Sequence, residues 1–467
     1  MKTDTIAAIA TAMAGSGIGI VRISGEEAVS ITDQIFHMPG GKKLSDMKTH
    51  TIHYGHIRDG EEVIDEVMVL LMRGPRSYTR EGPKSFTAED TVEIDCHGGV
   101  YVMKRILETV IKYGARPAEP GEFTKRAFLN GRIDLSQAES VIDVISAKNE
   151  FALKSSMKQL SGAVSDAVKE IRGEILHEIA FIESALDDPE HISLDGYGER
   201  LELTIEGAVD RIEKLLASSD NGRILKEGIS TVIVGKPNAG KSSLLNTLLG
   251  EERAIVTEIA GTTRDVLEEQ INLNGIILNI IDTAGIRDTD DIVEKIGVDK
   301  ARKYVKDADL ILYVVDASTN LDENDGEIME LLHGRRTIVL LNKSDLTPLT
   351  TAEDIRVHVD KDCPVISISA REQKGIDVFT EQIREMFFRG QVTFNDEVYI
   401  TNIRHKTALQ EALSSLHLVE QSIADGMPED FYSIDLMNAY EVLGTIIGEA
   451  VEDDLVNEIF SKFCLGK

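Results

Sequence analysis

The feature that most constrains the fold of this chain is a motif of eight residues near its middle. Residues 235–242 read Gly-Lys-Pro-Asn-Ala-Gly-Lys-Ser and match the pattern GxxxxGK[ST]. A β-rich run, 229–234, precedes the motif, and a helical pattern, 243–249, follows it. Glycines let backbone N–H groups approach a phosphate, and the helix N-terminus adds its dipole. This order predicts a P-loop in an α/β domain, with Lys241 on the β- and γ-phosphates of a nucleotide and Ser242 on Mg2+.

Two later segments complete the phosphate side of the predicted site. Asp282-Thr283-Ala284-Gly285 follows a second apolar run, residues 276–281. In P-loop proteins such an Asp supports the Mg2+ shell, and a Gly N–H contacts the γ-phosphate. Thr262-Thr263 fits the segment that closes over the γ-phosphate, where a Thr hydroxyl completes the Mg2+ shell. Together with the P-loop, these segments predict hydrolysis of a nucleoside triphosphate.

The base of that nucleotide is predicted to be guanine. Asn342-Lys343-Ser344-Asp345 ends a predicted strand, 337–341. The Asp345 carboxylate can accept both N–H groups of the guanine edge, whereas adenine presents the wrong pattern. Ser369-Ala370, after the strand 365–369, fits the loop that backs the base. The predicted GTP-binding residues are Asn238, Ala239, Gly240, Lys241, Ser242, Ser243, Thr257, Glu258, Ile259, Ala260, Gly261, Thr262, Thr263, Asp282, Thr283, Ala284, Gly285, Asn342, Lys343, Asp345, Ser369 and Ala370.

The chain departs from the small signalling GTPases at the residue after Gly285. Those proteins have a Gln there that orients the attacking water, whereas this chain has the apolar Ile286. Carboxylates follow at Asp288, Asp290, Asp291 and Glu294. One of them is expected to orient the water, although spacing does not choose among them and a solvated acidic loop is the alternative. The amide of Asn238, with backbone carbonyls of 257–262, would hold K+ where an arginine finger otherwise acts.

Composition narrows the class of partner and the compartment. The chain has 50 Lys and Arg against 81 Asp and Glu, a net charge of −31, so on average it repels polyanions. Binding RNA would require a local basic patch or a partner, and otherwise the acidity serves solubility. The scattered Cys96, Cys363 and Cys464 have no metal-binding spacing and fit a reducing compartment. Residues 5–21 are rich in Ala and Gly rather than Leu, so a cytoplasmic chain without a membrane span is predicted.

Periodicity indicates how the chain is organised. Half-buried strands and intervening helices alternate over the first 130 residues, which is typical of an α+β domain. Apolar residues recur at helical spacing over 134–217 and again over 405–463. Between these stretches, strands and helices alternate as in an α/β domain. The simplest topology has the two helical stretches packing together, with the α/β domain inserted between them.

Four segments carry a family resemblance that covers essentially the whole chain. They are Gly-Ile-Val-Arg-Ile-Ser-Gly at 19–25, His-Gly-Gly at 97–99, Gly-Glu-Phe-Thr-Lys-Arg-Ala-Phe-Leu-Asn at 121–130, and the last four residues, Cys-Leu-Gly-Lys. With the P-loop, they resemble the MnmE (TrmE) family of bacterial and organellar tRNA-modification GTPases. Leu465 stands where that family usually has Ile, and Arg132 where it often has Lys.

The resemblance implies a multidomain α/β and α fold. It comprises an α+β tetrahydrofolate-binding and dimerisation domain at 1–131, a discontinuous helical domain at 132–225 and 390–467, and an inserted P-loop GTPase domain with a Ras-like doubly wound sheet at 226–389. It implies a homodimer with K+-dependent association of the GTPase domains, and a heterotetramer with MnmG, a flavoprotein that alone carries FAD. The pair would place an aminomethyl or carboxymethylaminomethyl group on carbon 5 of the wobble uridine of certain tRNAs, with 5,10-methylene- or 5-formyl-tetrahydrofolate as the bound folate.

The resemblance also implies roles for individual residues. Glu294 would orient the attacking water, and Cys464, otherwise a small hydrophobe at a helix end, would take part in catalysis. A single charged residue is ordinarily a surface group, so only the resemblance assigns the folate contacts. The implied ligands are Arg22, Glu93, Arg132 and Lys467 for folate, Ser242 and Thr263 for Mg2+, and Asn238, Thr257, Ile259 and Thr262 for K+.

Two other functions are consistent with the nucleotide motifs alone. One is a pure GTP switch in ribosome assembly, which typically has a basic RNA-binding module after the GTPase domain; an acidic helical segment stands there instead. The other is a membrane-remodelling GTPase, which would require a basic amphipathic helix or a membrane span, and the sequence has neither. Folate binding would separate the tRNA-modifying function from both.

Overall fold

The computed structural model of the chain describes residues 4–74, 85–251, 269–281, 305, 308–388, 400–449, 451, 453–463 and 466. These residues form two compact units. The first unit combines the described residues of 1–145, 157–209 and 408–467. The second combines those of 146–156 and 210–407. The chain therefore enters the second unit twice, and the first unit is built from segments on both sides of it.

A seven-stranded sheet organises the N-terminal part of the first unit, in the order β3-β4-β5-β6-β2-β1-β7. Neighbouring strands are antiparallel, except that β1 and β7 are parallel. The strands are β1 (Ile6–Ile9), β2 (Ile18–Ser24), β3 (Phe36–His37), β4 (Thr51–Asp59), β5 (Glu62–Met72), β6 (Thr91–His97) and β7 (Arg116–Pro117). The strands predicted at 18–23 and 92–96 are confirmed as β2 and β6.

Helices cover both faces of this sheet. They are α1 (Ala28–Ile35), α2 (Val100–Lys112) and, after β7, α3 (Glu122–Leu129), with a short 3-10 turn at Leu44–Asp46. Helices α1 and α2 pack on the face of Val21 and Ile23. Phe123 of α3 packs with Ile6 and Ala8 on the other face.

Val21 and Ile23 of β2 are fully buried in a core that also contains Met103 and Ile106 of α2. Arg22 lies between those two strand residues in sequence, and side chains alternate across a strand, so it points to the opposite face.

A run of five helices follows α3. These are α4 (Leu135–Ser146), α5 (Glu150–Leu160), α6 (Ala163–Asp187), α7 (Tyr197–Ala217) and α8 (Ser219–Glu227). In α6 the fully or nearly fully buried residues Val168, Ile171, Ile175, Ile179 and Ile182 recur at three and four spacing, so they form one apolar face. The predicted helical character of 134–217 is confirmed.

The second unit is built on a six-stranded sheet in the order β13-β12-β11-β8-β10-β9. All neighbours are parallel except the edge hairpin of β9 and β10. Its elements are β8 (Ile229–Val234), α9 (Lys241–Glu251), β9 (Glu269–Leu273), β10 (Ile276–Ile280), β11 (Leu310–Asp316), α10 (Glu323–Leu332), β12 (Thr337–Asn342), α11 (Ala352–Arg356), β13 (Val365–Ser367) and α12 (Ile376–Phe388).

The order of the central strands indicates where this sheet binds a ligand. Every residue of β11 and β12 is buried, as expected for parallel strands covered on both faces. β8 lies between β10 and β11, so the order of the strands reverses beside it. Ligands of α/β sheets bind at the carboxyl ends of the strands at such a switch point. The predicted motifs after β8 and β12 both lie at this edge.

The C-terminal helices are α13 (Ile403–Ala424), α14 (Glu429–Ile447) and α15 (Asp453–Ser461). Within the first unit, Arg172 of α6 donates to the Tyr440 carbonyl at 3.0 Å and to Glu449 Oε2 at 2.6 Å. Its guanidinium also lies 4.0 Å from the centre of the Tyr440 ring. Helix α6, which precedes residues 210–407 in sequence, therefore packs against α14, which follows them. Every helix in the described ranges is too short or too polar to cross a bilayer.

The segment 146–156 lies in the second unit although its neighbours in sequence lie in the first. Lys148 Nζ donates to Gln270 Oε1 of β9 at 2.7 Å. Phe151 packs on the turn between β9 and β10, so that a Cβ on Gly275 would lie 2.9 Å from the ring. Gly275 also has a positive φ of 90°. The predicted boundaries place 146–156, 210–225 and 390–407 in the helical domain, whereas the described residues of these three segments belong to the second compact unit.

Candidate nucleotide site

The loop 235–240 connects β8 to α9 at the carboxyl edge of the second sheet. Gly240 has a φ of 96°, and a Cβ at this position would overlap the Asn342 side-chain nitrogen, so only glycine fits. Asn238 also has a left-handed backbone, with a φ of 62°, and its side chain is exposed. Ala239 is buried beneath the loop. The backbone thus curls around the N-terminus of α9, as a phosphate-binding loop requires.

Lys241 lies inside this loop. Its Nζ donates to the carbonyl oxygens of Gly235 and Lys236, both at 2.7 Å. Burial lowers the pKa of Lys241 below its ordinary value. The ammonium is thereby held at the centre of the loop, next to the N-terminus of α9. The exposed Ser242 and Ser243 occupy the first turn of that helix.

Asn342 connects the P-loop to the loop behind the base. Its Nδ2 donates to the Ala239 carbonyl at 2.9 Å, and its Oδ1 accepts from the Ala370 N–H at 3.1 Å. Asn342 is 2% exposed, so both hydrogen bonds are shielded from water. Thr247 of α9 adds a third link, because its hydroxyl donates to the Ala370 carbonyl at 2.7 Å. Three motifs far apart in sequence are thereby fixed to one another.

The carboxylate of Asp345 is held ionised and oriented. Ser369 Oγ donates to Asp345 Oδ1 at 2.7 Å, and Ser369 Oγ in turn accepts from the Glu372 N–H at 3.2 Å. The hydrogen bond from Ser369 is the main cause that lowers the pKa of Asp345 below its ordinary value. Asp345 itself is exposed, so its carboxylate is accessible to a base.

Lys343, two residues before Asp345, is held by an ion pair. Its backbone is left-handed, with a φ of 64°, and its Nζ lies 2.5 Å from Asp316 Oδ2 at the end of β11. Burial acts to raise the pKa of Asp316, but hydrogen bonds from Lys343 and Ser318 outweigh it, and the pKa is lowered. Asp316 was not among the predicted site residues. Its place at the carboxyl end of a buried strand is the signal that would have identified it.

A second cluster of predicted residues lies on the sheet of the first unit. Arg22 of β2 and Glu93 of β6 are directly opposite in the strand register, with Nε and Oε1 2.6 Å apart. Arg22 Nη1 also donates to the Gly466 carbonyl at 3.1 Å, and its guanidinium lies 5.6 Å from the centre of the Phe123 ring. The structure therefore brings Arg22 and Glu93 together beside the C-terminal tail. Arg132 is exposed after α3, and within the described residues no hydrogen bond or ion pair joins it to these two.

Comparison with known protein families covers both units. The family described as "MnmE helical domain" matches residues 135–464, and the one described as "GTP-binding protein TrmE N-terminus" matches 5–82 and 81–132. The chain belongs to the MnmE family. The multidomain α/β architecture predicted from the sequence is confirmed at that level, whereas the inserted topology of the GTPase domain and the domain limits stay predictions.

Curated MnmE proteins align with the chain from end to end. The tRNA modification GTPase MnmE of Lachnoclostridium phytofermentans is 60% identical and covers 100% of both chains. The protein of the same name from Clostridioides difficile is 49% identical over 99% of each chain. That of Bacillus subtilis is 46% identical over 99% of this chain and 100% of its own. The resemblance carried by the sequence motifs is therefore confirmed along the whole chain.

Part of the MnmE-type site lies outside the described residues and stays a prediction. This holds for the predicted segment that closes over the γ-phosphate, for the Asp-Thr-Ala-Gly motif, for the proposed water-orienting carboxylate and for two C-terminal residues. The residues concerned are Thr257, Glu258, Ile259, Ala260, Gly261, Thr262, Thr263, Asp282, Thr283, Ala284, Gly285, Glu294, Cys464 and Lys467.

Proposed function

We propose that this chain is a K+-dependent GTPase that acts on tRNA together with the flavoprotein MnmG. The pair adds an aminomethyl or carboxymethylaminomethyl group to carbon 5 of the wobble uridine of certain tRNAs, with a tetrahydrofolate derivative as one-carbon donor. As a member of its family, the chain is a GTP hydrolase that acts in tRNA modification. The observation that carries the GTP-binding part of the proposal is the pair of hydrogen bonds of Asn342, which fix the P-loop to the loop behind the base beside the Asp345 carboxylate.

The proposed assembly is a homodimer that binds MnmG as a heterotetramer in the cytoplasm. Its proposed domains are a folate-binding and dimerisation domain at 1–131, a helical domain at 132–225 and 390–467, and an inserted GTPase domain at 226–389. The first unit, whose segments stand on both sides of 210–407 in sequence, and the largely parallel sheet of the second unit support an inserted GTPase domain. The net charge of −31 supports a partner that holds the tRNA, because so acidic a chain repels a polyanion on average.

The nucleotide site works through groups of this chain. Asp345 accepts two hydrogen bonds from the guanine edge, and Lys241 turns from the loop carbonyls to the β- and γ-phosphates. Glu294 orients the attacking water. When bound, Mg2+ and K+ supply positive charge beside the phosphates, and the exposed amide of Asn238 supports its role as a ligand. The proposed ligands are Ser242 and Thr263 for Mg2+, and Asn238, Thr257, Ile259 and Thr262 for K+.

The folate site is proposed at the Arg22 and Glu93 pair. A guanidinium suits the carboxylates of the folate tail, and a carboxylate suits the donors of the pterin ring. Both side chains are mostly buried, at 18% and 15% exposed, which supports a built site rather than two solvated charges. Arg132 and Lys467 are the other proposed contacts. The hydrogen bond from Arg22 to Gly466 brings the tail to this pair and supports a catalytic role for Cys464.

Hydrolysis of GTP should be fast in KCl and slow in NaCl at equal ionic strength. The reason is that the amide of Asn238 in the P-loop is the proposed ligand of a K+ ion, which would supply the positive charge of an arginine finger. In addition, Ile286 is apolar and cannot orient the attacking water. The measurement is steady-state phosphate release in the two salts. Equal rates in both would contradict the K+ site and, with it, the proposed K+-dependent association of the GTPase domains.

Arg22→Met should weaken binding of 5-formyl-tetrahydrofolate about tenfold or more, because it removes charge-assisted hydrogen bonds. GTP hydrolysis in KCl should stay normal, while tRNA modification with purified MnmG should fall. Arg105→Met is the matched control, since Arg105 is an arginine of α2 paired with the exposed Glu62. Binding would be measured by calorimetry. Unchanged folate affinity in Arg22→Met would place the folate site elsewhere.

A further inference from the structure

The P-loop contains two lysines, and the second one, Lys241, is the expected phosphate ligand. The first, Lys236, points away from the loop toward the start of α10. Its Nζ lies 2.9 Å from Asp322 Oδ2 and 2.6 Å from Asp325 Oδ2. The Lys236 side chain is 18% exposed, so this is a largely buried ion pair rather than a solvated surface charge.

Asp325, the buried carboxylate of this ion pair, is itself held by other hydrogen bonds. Asp325 is 1% exposed, and its Oδ1 accepts from the hydroxyl of Tyr313 at 2.8 Å. Tyr313 is fully buried in β11. Asp322 and Asp325 also form a capping box at the start of α10, in which Asp325 Oδ2 accepts from the Asp322 N–H at 3.0 Å. A strand and a helix N-terminus therefore fix the two carboxylates.

The backbone of Lys236 contacts the other lysine. Its carbonyl oxygen, together with that of Gly235, accepts from Lys241 Nζ. The side chain of Lys236 thus fixes the peptide unit that faces the Lys241 ammonium. Burial alone would lower the pKa of Lys236, but hydrogen bonds and charge from Asp325 and Asp322 outweigh it, so its pKa is raised and the ammonium stays charged.

We propose that Lys236 is a positioning residue for nucleotide binding, which anchors the entrance of the P-loop to α10 through Asp325 and so sets the place of Lys241. A loop whose entrance is loose must be ordered when the nucleotide binds, and the cost of this ordering lowers affinity. Lys236 does not touch the phosphates, so the chemical step at saturating GTP depends on it little. The proposal concerns affinity and rests on the proposed nucleotide site, not on K+ or folate.

The test is the full chain with Lys236→Met. Its affinity for a fluorescent GDP should fall about tenfold or more, while the single-turnover rate constant at saturating GTP should stay within about threefold. Lys236→Arg should retain most of the affinity, because it keeps the charge and the donors. Asp325→Asn should lower affinity similarly. The double variant should lose less affinity than the sum of the two single losses, since both changes break the Lys236–Asp325 ion pair.

The control is Lys361→Met, which changes an exposed lysine in the same unit and should bind GDP normally. If Lys236→Met lowers the melting temperature but the folded protein binds GDP as tightly as the unaltered chain, the proposal is overturned and the ion pair is only structural. If Lys236→Met does not fold, Asp325→Asn gives the same decision. If the unaltered chain binds no guanine nucleotide, the proposed site is wrong and this inference is wrong with it.

Discussion

Glu294→Ala should lower the rate constant of GTP hydrolysis about a hundredfold or more, the scale for loss of a positioned catalytic group. Affinity for nucleotide should change little, because the proposed role of Glu294 is to orient water rather than to contact the phosphates of the ground state. A fall in turnover with binding preserved marks an interaction made mainly in the transition state. The measurements are single-turnover hydrolysis in KCl and equilibrium binding of a fluorescent GDP.

Asp290→Ala and Asp291→Ala are the matched variants for this prediction. Both residues lie in the same acidic segment, and sequence spacing alone does not separate them from Glu294. If Glu294→Ala hydrolyses GTP at the normal rate while one of the other two does not, the catalytic carboxylate is misassigned. If all three are normal, a backbone group or the partner subunit orients the water instead.

Asp345→Asn should lower affinity for GTP by about two orders of magnitude and admit xanthosine triphosphate. The carboxylate accepts two N–H groups from guanine, and an amide in its place offers one acceptor and one unmatched donor. Xanthine carries a carbonyl where guanine has its amine, so the amide suits it better. The measurement is competition of the two triphosphates against a fluorescent GDP.

Asp360→Asn provides the control for the change in base preference. Asp360 is another exposed aspartate of the second unit, where it pairs with His333 at 2.8 Å, and its replacement should leave the preference for GTP intact. Tight GTP binding by Asp345→Asn would show that another residue reads the base.

The hydrogen bond from Ser369 holds the pKa of Asp345 below its ordinary value. The preference of the unaltered chain for GTP should therefore persist as the pH falls into the ordinary range of aspartate.

Local patterns allowed the sequence to predict the succession of elements around the P-loop. The P-loop needs only a strand, a glycine-rich turn and a helix in succession, and β8, the loop and α9 follow that order. Boundaries were less accurate, because helix ends depend on capping and strand ends on pairing. The helix begins at Lys241 rather than at residue 243, and β13 ends at Ser367 rather than at residue 369.

Contacts between distant parts of the chain could not be predicted in the same way. Arg22 and Glu93 were named separately, but their ion pair depends on the register of β2 against β6, which no local pattern sets. The same holds for Lys236 and Asp325, which meet only because β8 lies beside β11. The two hydrogen bonds of Asn342 likewise required the fold to bring three loops to one edge.

The contact between Phe151 and the turn of β9 and β10 has a consequence for modularity. A nucleotide-binding fragment cut at residue 210 would lack Phe151 and Lys148, and would leave bare a turn and an edge strand that the intact chain covers. If recombination between homologues exchanged only this fragment, Phe151 and the Gly275 that it packs on would come from different parents. The compact unit that holds the nucleotide loop therefore includes residues 146–156, and a fragment that begins at residue 210 is not the whole of this unit.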